Sequence, residues 1–159
     1  MKKSIVIVVL ILFSVTFGML LQHKLSYDFA TLEGETFKYE DLHGQWVIVN
    51  YFAEWCAPCL REIPELNEFA RLTTGRDVQL YGVSFDAMQD HELQIIADKY
   101  NIEYPLIKQI VTPMPFDLPQ YLPATFVIRP DGTVAGQLLG EQTAKGLMQA
   151  IELSPPAPF

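Results

Sequence analysis

The chain has 159 residues, enough for one domain with a real core, and half of them are hydrophobic, which argues against disorder. The net charge is −8, and no basic patch is interleaved with aromatics, so nucleic acid is not an expected partner. Two cysteines are too few for a disulfide framework or a four-cysteine zinc site.

Lys2-Lys3 opens onto Ser4–Leu21, an uncharged and mostly apolar run nearly long enough to span a bilayer as a helix. Thr16-Phe17-Gly18 is a poor cleavage site, and Met19-Leu20-Leu21 carries the apolar run past it. Residues 1–24 are therefore predicted to be an uncleaved signal-anchor, a single N-terminal transmembrane helix. A cleaved signal peptide and a buried soluble helix are the weaker readings. The basic flank keeps Lys2 and Lys3 in the cytoplasm and places the body across the membrane. His23-Lys24 weakens that bias slightly. No cysteine lies near the segment, which excludes a bacterial lipoprotein.

Gln22–Ser26 reads as a tether. Tyr27–Leu32 and Glu35–Tyr39 flank Glu33-Gly34, a pattern for a small hairpin. Asp41-Leu42-His43-Gly44 reads as a turn or helical cap. Trp46–Phe52 is a buried strand. It leads directly into Trp55-Cys56-Ala57-Pro58-Cys59, followed by a helix over Leu60–Leu72. Ile63, Leu66, Phe69 and Ala70 fall on one face of that helix, and Pro64 is expected to kink it.

Cys56 and Cys59 are the only cysteines, so they act together or not at all. Between a strand and a helix N-terminus they have the setting of a redox-active dithiol. Unpaired backbone N–H groups and the positive end of the helix dipole stabilise a thiolate there. A purely structural disulfide closing so short a loop would constrain the unfolded chain little. His23, His43 and His91 show no ligand spacing near the pair, so no metal and no cofactor is expected.

Val78–Phe85 is a second buried strand, with Gly82 allowing close packing. A helix follows over Gln89–Tyr100, with Leu93, Ile96, Ala97 and Tyr100 inward and Asp86 or Asp90 as its cap. Tyr104–Ile107 is a short strand. Val111–Pro123, with four prolines, is a loop over the site. Its apolar side chains, Met114, Phe116, Leu118, Tyr121 and Leu122, either contact a partner or fill the core beneath it. Ala124–Ile128 and Thr133–Leu139 form a hairpin around Arg129-Pro-Asp-Gly132. Gln142–Leu153 is a last helix, with Ala144, Leu147, Met148 and Ile151 inward. Strands alternating with helices, then a terminal hairpin and helix, define an α/β sandwich with a mixed central sheet.

The run Val47–Leu66, with its Trp-Cys-Ala-Pro-Cys centre, resembles the TlpA/ResA-like branch of the thioredoxin superfamily. So does Leu122-Pro-Ala-Thr-Phe-Val-Ile-Arg-Pro-Asp-Gly132. The resemblance covers about residues 27–153, including the extra helix and strand between Ser84 and Ile107. It implies a thioredoxin-like domain over 25–154, with an N-terminal hairpin and a central insertion, and a flexible tail at 155–159.

In that family Cys56 matches the exposed nucleophile and Cys59 the buried resolving thiol, joined in the oxidised form as a redox-active disulfide. Pro123 matches a cis-proline facing the cysteines, with Leu122 beside it, although Gln120-Tyr121-Leu122 departs from the usual glycine-containing approach. Asn50 stands where thioredoxin has a buried aspartate. Glu62 matches a glutamate near the pair and is read as a proton shuttle, against the alternative of a solvated glutamate paired with Arg61. Pro58 pre-sets the helix start. Trp55 is a lid or a partner contact.

The resemblance implies a thiol–disulfide oxidoreductase of the bacterial inner membrane, its catalytic domain outside the cytoplasm. It would reduce disulfides of exported proteins, including in cytochrome c maturation, and be re-reduced by a transmembrane thiol-reducing electron donor. An oxidase of exported thiols, or a thiol-based metal or haem chaperone, are the alternatives.

Overall fold

The run Trp46–Phe52 is rich in β-branched and aromatic residues, and it forms an interior strand of a seven-stranded mixed sheet. The structure, a computed structural model, describes residues 26–153 together with Phe13 and Ser14. The signal-anchor expected over 1–24, apart from those two residues, and the tail expected over 155–159 lie outside the described residues. Among the described residues no helix is long and apolar enough to cross a membrane.

In chain order the elements are β1 (Phe29–Thr31), β2 (Thr36–Phe37), a 3-10 turn (Tyr39–Leu42), β3 (Trp46–Phe52) and α1 (Ala57–Thr73). Then come β4 (Val78–Ser84), α2 (Asp90–Tyr100), β5 (Leu106–Ile110), β6 (Ala124–Ile128), β7 (Val134–Leu139) and α3 (Ala144–Leu153). The sheet order is β2-β1-β5-β4-β3-β6-β7. β3 runs parallel to β4, from Trp46 opposite Val78 to Phe52 opposite Ser84. It runs antiparallel to β6, from Val47 opposite Ile128 to Tyr51 opposite Ala124.

Side chains alternate along β3, so the sheet has two apolar faces. Ile48 and Phe52 join Leu80, Leu106 and Val127 under Leu66 and Phe69 of α1, Leu93 and Ile96 of α2, and Leu147 of α3. All three helices therefore cover the same face. Val47, Val49 and Tyr51 join Tyr81, Val83, Ile107, Phe126 and Ile128 on the other. There the cover comes from the N-terminal hairpin, the 3-10 turn and the loop after β5, through Phe37, Tyr39, Leu42, Met114 and Phe116. A strand buried on both sides reads as a nearly continuous apolar run, here interrupted only by Asn50.

Several boundaries differ from expectation. α1 starts at Ala57, because Pro58 fits the first helical turn, where its missing N–H has no partner to lose. Pro64 lies on the exposed side of a helix that continues to Thr73. The strand expected at Tyr104–Ile107 is found at Leu106–Ile110, where pairing with β1 brings Phe29 opposite Ile110. α2 is capped by neither Asp86 nor Asp90. Gln89 is its N-cap, and the Gln89 N–H donates to the Glu92 carboxylate at 2.8 Å.

Candidate active site

The chain leaves β3 at Phe52 and turns through Ala53–Trp55 into α1, so Cys56 becomes the helix N-cap. Its Sγ accepts the Cys59 N–H at 3.3 Å. The two sulfurs are joined in a disulfide. A sulfur held at a helix N-terminus is favoured as an anion once the disulfide opens. Cys56 is 5% exposed and Cys59 fully buried, so the expected contrast between an exposed and a buried thiol is narrow in this oxidised form. Both sulfur-bearing residues belong to the helix-side core, which draws Cys56 inward.

Trp55 immediately precedes Cys56. It is 67% exposed, donates Nε1–H to Asp86 Oδ2 at 2.8 Å and meets Phe85 edge-on, with ring centroids 6.4 Å apart. Asp86, expected as a possible helix cap, is occupied by this bond. Phe85 and Asp86 were not expected at the site. The signal for them was their position just past the carboxyl end of β4, beside the carboxyl end of β3.

Leu122–Pro123 is a cis peptide bond. Ala124 lies opposite Tyr51, so Pro123 stands at the same end of β3 as the disulfide. Pro123 is buried and Leu122 half-buried. The loop before it divides in two. Phe116 stacks on Phe126 at 3.8 Å, and Met114 accepts a hydrogen bond from the Tyr39 hydroxyl at 3.4 Å. Both pack toward the sheet, so they fill core rather than face a partner. Leu118 and Tyr121 are 70% and 72% exposed.

Glu62 follows Cys59 by three residues, so helical spacing puts the two on one inward face of α1. It is buried, and the alternative of a solvated glutamate paired with Arg61 is corrected. Arg61 turns outward and pairs with Glu141 instead. Glu62 Oε1 accepts Asn50 Nδ2–H at 2.8 Å, and Oε2 accepts the Gln142 N–H at 2.8 Å. Asn50 spends its other amide proton on Thr125 Oγ1 at 3.0 Å. Burial pushes the Glu62 carboxyl up to about 7, outweighing these two donors, and the nearby Glu141 charge adds to the rise. A carboxyl poised there can take or give a proton near neutral pH.

A dithiol on a helix N-terminus at the carboxyl ends of β3 and β4 is built to exchange with other disulfides. Fold and site together define a thioredoxin-like thiol–disulfide oxidoreductase. The chain belongs to the AhpC/TSA family, whose model matches residues 21–137. It is 29% identical over 120 residues to the thiol-disulfide oxidoreductase ResA of Bacillus thuringiensis (strain Al Hakam), covering 73% of this chain and 67% of that one. It is 26% identical over 135 residues to the thioredoxin-like protein YneN of Bacillus subtilis (strain 168), covering 83% and 78%. Its fold matches a thioredoxin-family thiol:disulfide interchange protein of Chlorobium tepidum TLS, with a TM-score of 0.64, 24% identity, and 79% and 90% of the two chains covered. A DsbF homologue from Corynebacterium diphtheriae matches with a TM-score of 0.62 at 25% identity, over 77% and 80%.

Proposed function

We propose that this oxidoreductase works as a reductant of disulfides in exported proteins, held outside the cytoplasmic membrane by residues 1–24 as an anchor. In the reduced enzyme the Cys56 thiolate attacks a substrate disulfide. A Cys56–substrate disulfide forms, and the first substrate sulfur leaves as a thiolate that takes a proton. Glu62, as carboxylate, then accepts the Cys59 proton. The Cys59 thiolate attacks Cys56 Sγ, the internal disulfide closes, and the second substrate thiol is released. Two electrons pass to the substrate, and a transmembrane thiol-reducing donor restores the pair. Cytochrome c maturation, where haem attachment needs reduced thiols, is the setting implied by the resemblance.

The observation that carries the direction is the buried Glu62 carboxyl on the Cys59 side. An ionised carboxylate there disfavours negative charge on the reduced pair, which limits the stabilisation that the helix N-terminus gives the Cys56 thiolate. A strong oxidant needs the opposite, a reduced form held strongly by its surroundings. Redox titration of the Cys56–Cys59 couple tests this. A midpoint near or below that of thioredoxin, about −270 mV, is expected, and one near about −120 mV would make the protein an oxidase. Fractionation tests the anchor: a mature soluble protein beginning near Met19 would remove it.

A further inference from the structure

Three buried side-chain atoms among the described residues have no hydrogen-bond partner: Thr31 Oγ1, Asn50 Oδ1 and Tyr104 Oη. The last two stand in one layer. Asn50 rises from β3 toward Glu62, and its register partner on β4 is Gly82. A Cβ added at Gly82 would lie 2.9 Å from Tyr104 Cε2 and 2.5 Å from Leu106 Cδ2. The missing side chain at Gly82 thus makes the berth for the Tyr104 ring, next to Asn50. Tyr104 shares the helix-side core with Cys56 and Cys59. Burial raises its phenol, and the Glu62 charge adds to the rise. A fully buried hydroxyl without an acceptor costs free energy, and phenylalanine would fill the same space without that cost.

We infer that Tyr104 is a positioning residue of the redox site, its hydroxyl being the reserve donor that holds the Glu62 carboxylate once Glu62 has given up its proton. The inference rests on the reading of Glu62 as the proton carrier, but its physical claim is a coupling between two side chains. Among the described residues, the groups with a bond or charge effect on Glu62, or on the Asn50 that holds it, come from several elements, and the unpartnered Asn50 Oδ1 is the competing acceptor for the phenol. Asn50 and Thr125 come from the sheet, Gln142 N–H and the Glu141 charge from the segment before α3, and Tyr104 from the segment before β5. On α1 itself, Glu65 is taken by Ala144 N–H at 2.9 Å. In the oxidised form the two Glu62 oxygens hold one donor each, from Asn50 and Gln142, while the phenol holds none. Ionisation adds acceptor capacity on both oxygens, and a donor to the ionised form favours it.

The test is Tyr104→Phe, which keeps the ring over Gly82 and removes only the hydroxyl. The Glu62 carboxyl is titrated by carbon-13 NMR in the full chain, oxidised and reduced. Loss of a donor to the carboxylate should move its midpoint upward by at least about half a unit. The pH profile of disulfide exchange should move the same way. An unmoved Glu62 midpoint in both redox states overturns the inference, and a higher melting temperature alongside it would mark the hydroxyl as an idle orphan. Glu62→Gln serves as the separate control. If its exchange profile matches the wild type, the proton-carrier reading fails, while the NMR shift still decides the coupling.

Discussion

Glu62 places one ionisable carboxyl in a buried layer, and charging it there has a cost that depends on pH. The unfolded chain ionises this group near its ordinary value of 4.5, while the folded protein holds the proton until about 7. Below 4.5 both states carry the proton and burial is unopposed. Between 4.5 and 7 the unfolded state releases it first, so stability falls as pH rises, and above 7 the loss levels off. A shift of this size corresponds to about 3 kcal/mol. Glu62→Gln does not titrate, so in urea melts of the oxidised protein its stability relative to wild type should improve by about that amount from pH 4.5 to 8. A difference that stays constant with pH would contradict the burial account. The same variant should slow disulfide exchange without unfolding the domain, seen as a changed rate–pH profile in stopped-flow reduction. At this scale the sequence made Cys56 and Cys59 plain, because only two thiols exist and they sit between a strand and a helix start. It left Glu62 ambiguous, since a glutamate three residues past Cys59 can turn inward only if a buried donor such as Asn50 meets it. That pairing spans β3 and α1 and has no local signal.

Elements are fitted to one another through a few positions that tolerate little change. Gly82 lies under Tyr104 and Leu106, so Gly82→Ala forces those side chains to shift and should cost about 1–3 kcal/mol in chemical denaturation. A neutral result would mean that the berth is loose. α2 ends at Asn101 in the left-handed region, at φ 52°. The Asn101 carbonyl accepts Asn67 Nδ2–H from α1 at 2.7 Å, and Glu103 N–H donates back to Asn67 Oδ1 at 2.9 Å. Asn101→Gly should be tolerated, whereas Asn101→Ala should cost about 1 kcal/mol, because a Cβ without a compensating polar group disfavours this conformation. Equal stability of the two variants would show that the cap conformation is unstrained. The helices and the long strands were legible because their apolar periods are local. The start of β5 was not, since its pairing with β1 depends on a strand many residues away in the chain. The cap of α2 was not legible, since Asp86 is drawn off by Trp55, a contact between two loops.

At the scale of the whole molecule the sheet is covered unequally. Three helices close one face, while a hairpin, a 3-10 turn and the Val111–Leu122 loop close the other. That loop therefore serves two ends. Phe116 stacks on Phe126 and meets Tyr51 edge-on, with centroids 6.3 Å apart, so it replaces part of the cover a helix would give. Leu118 and Tyr121 stand exposed in the stretch leading to the cis-proline, which lies at the same end of β3 as the disulfide. Asp28 fastens the start of the loop: its carbonyl accepts Val111 N–H at 2.7 Å, and its carboxylate accepts the Thr112 hydroxyl and Tyr39 N–H. A loop fastened at its start by Asp28 and in its middle by Phe116 can present exposed side chains to a protein substrate with little ordering cost. Phe116→Ser should then lower stability by about 2 kcal/mol, less than for a fully buried phenylalanine because the ring is half-exposed. The double variant Leu118→Ser, Tyr121→Ser should keep the wild-type melting temperature. It should reduce disulfide-bonded insulin several-fold more slowly and reduce oxidised glutathione, which is too small to reach the loop, at an unchanged rate. Equal losses on both substrates would place the effect on the disulfide itself, and no loss on either would return Leu118 and Tyr121 to ordinary surface.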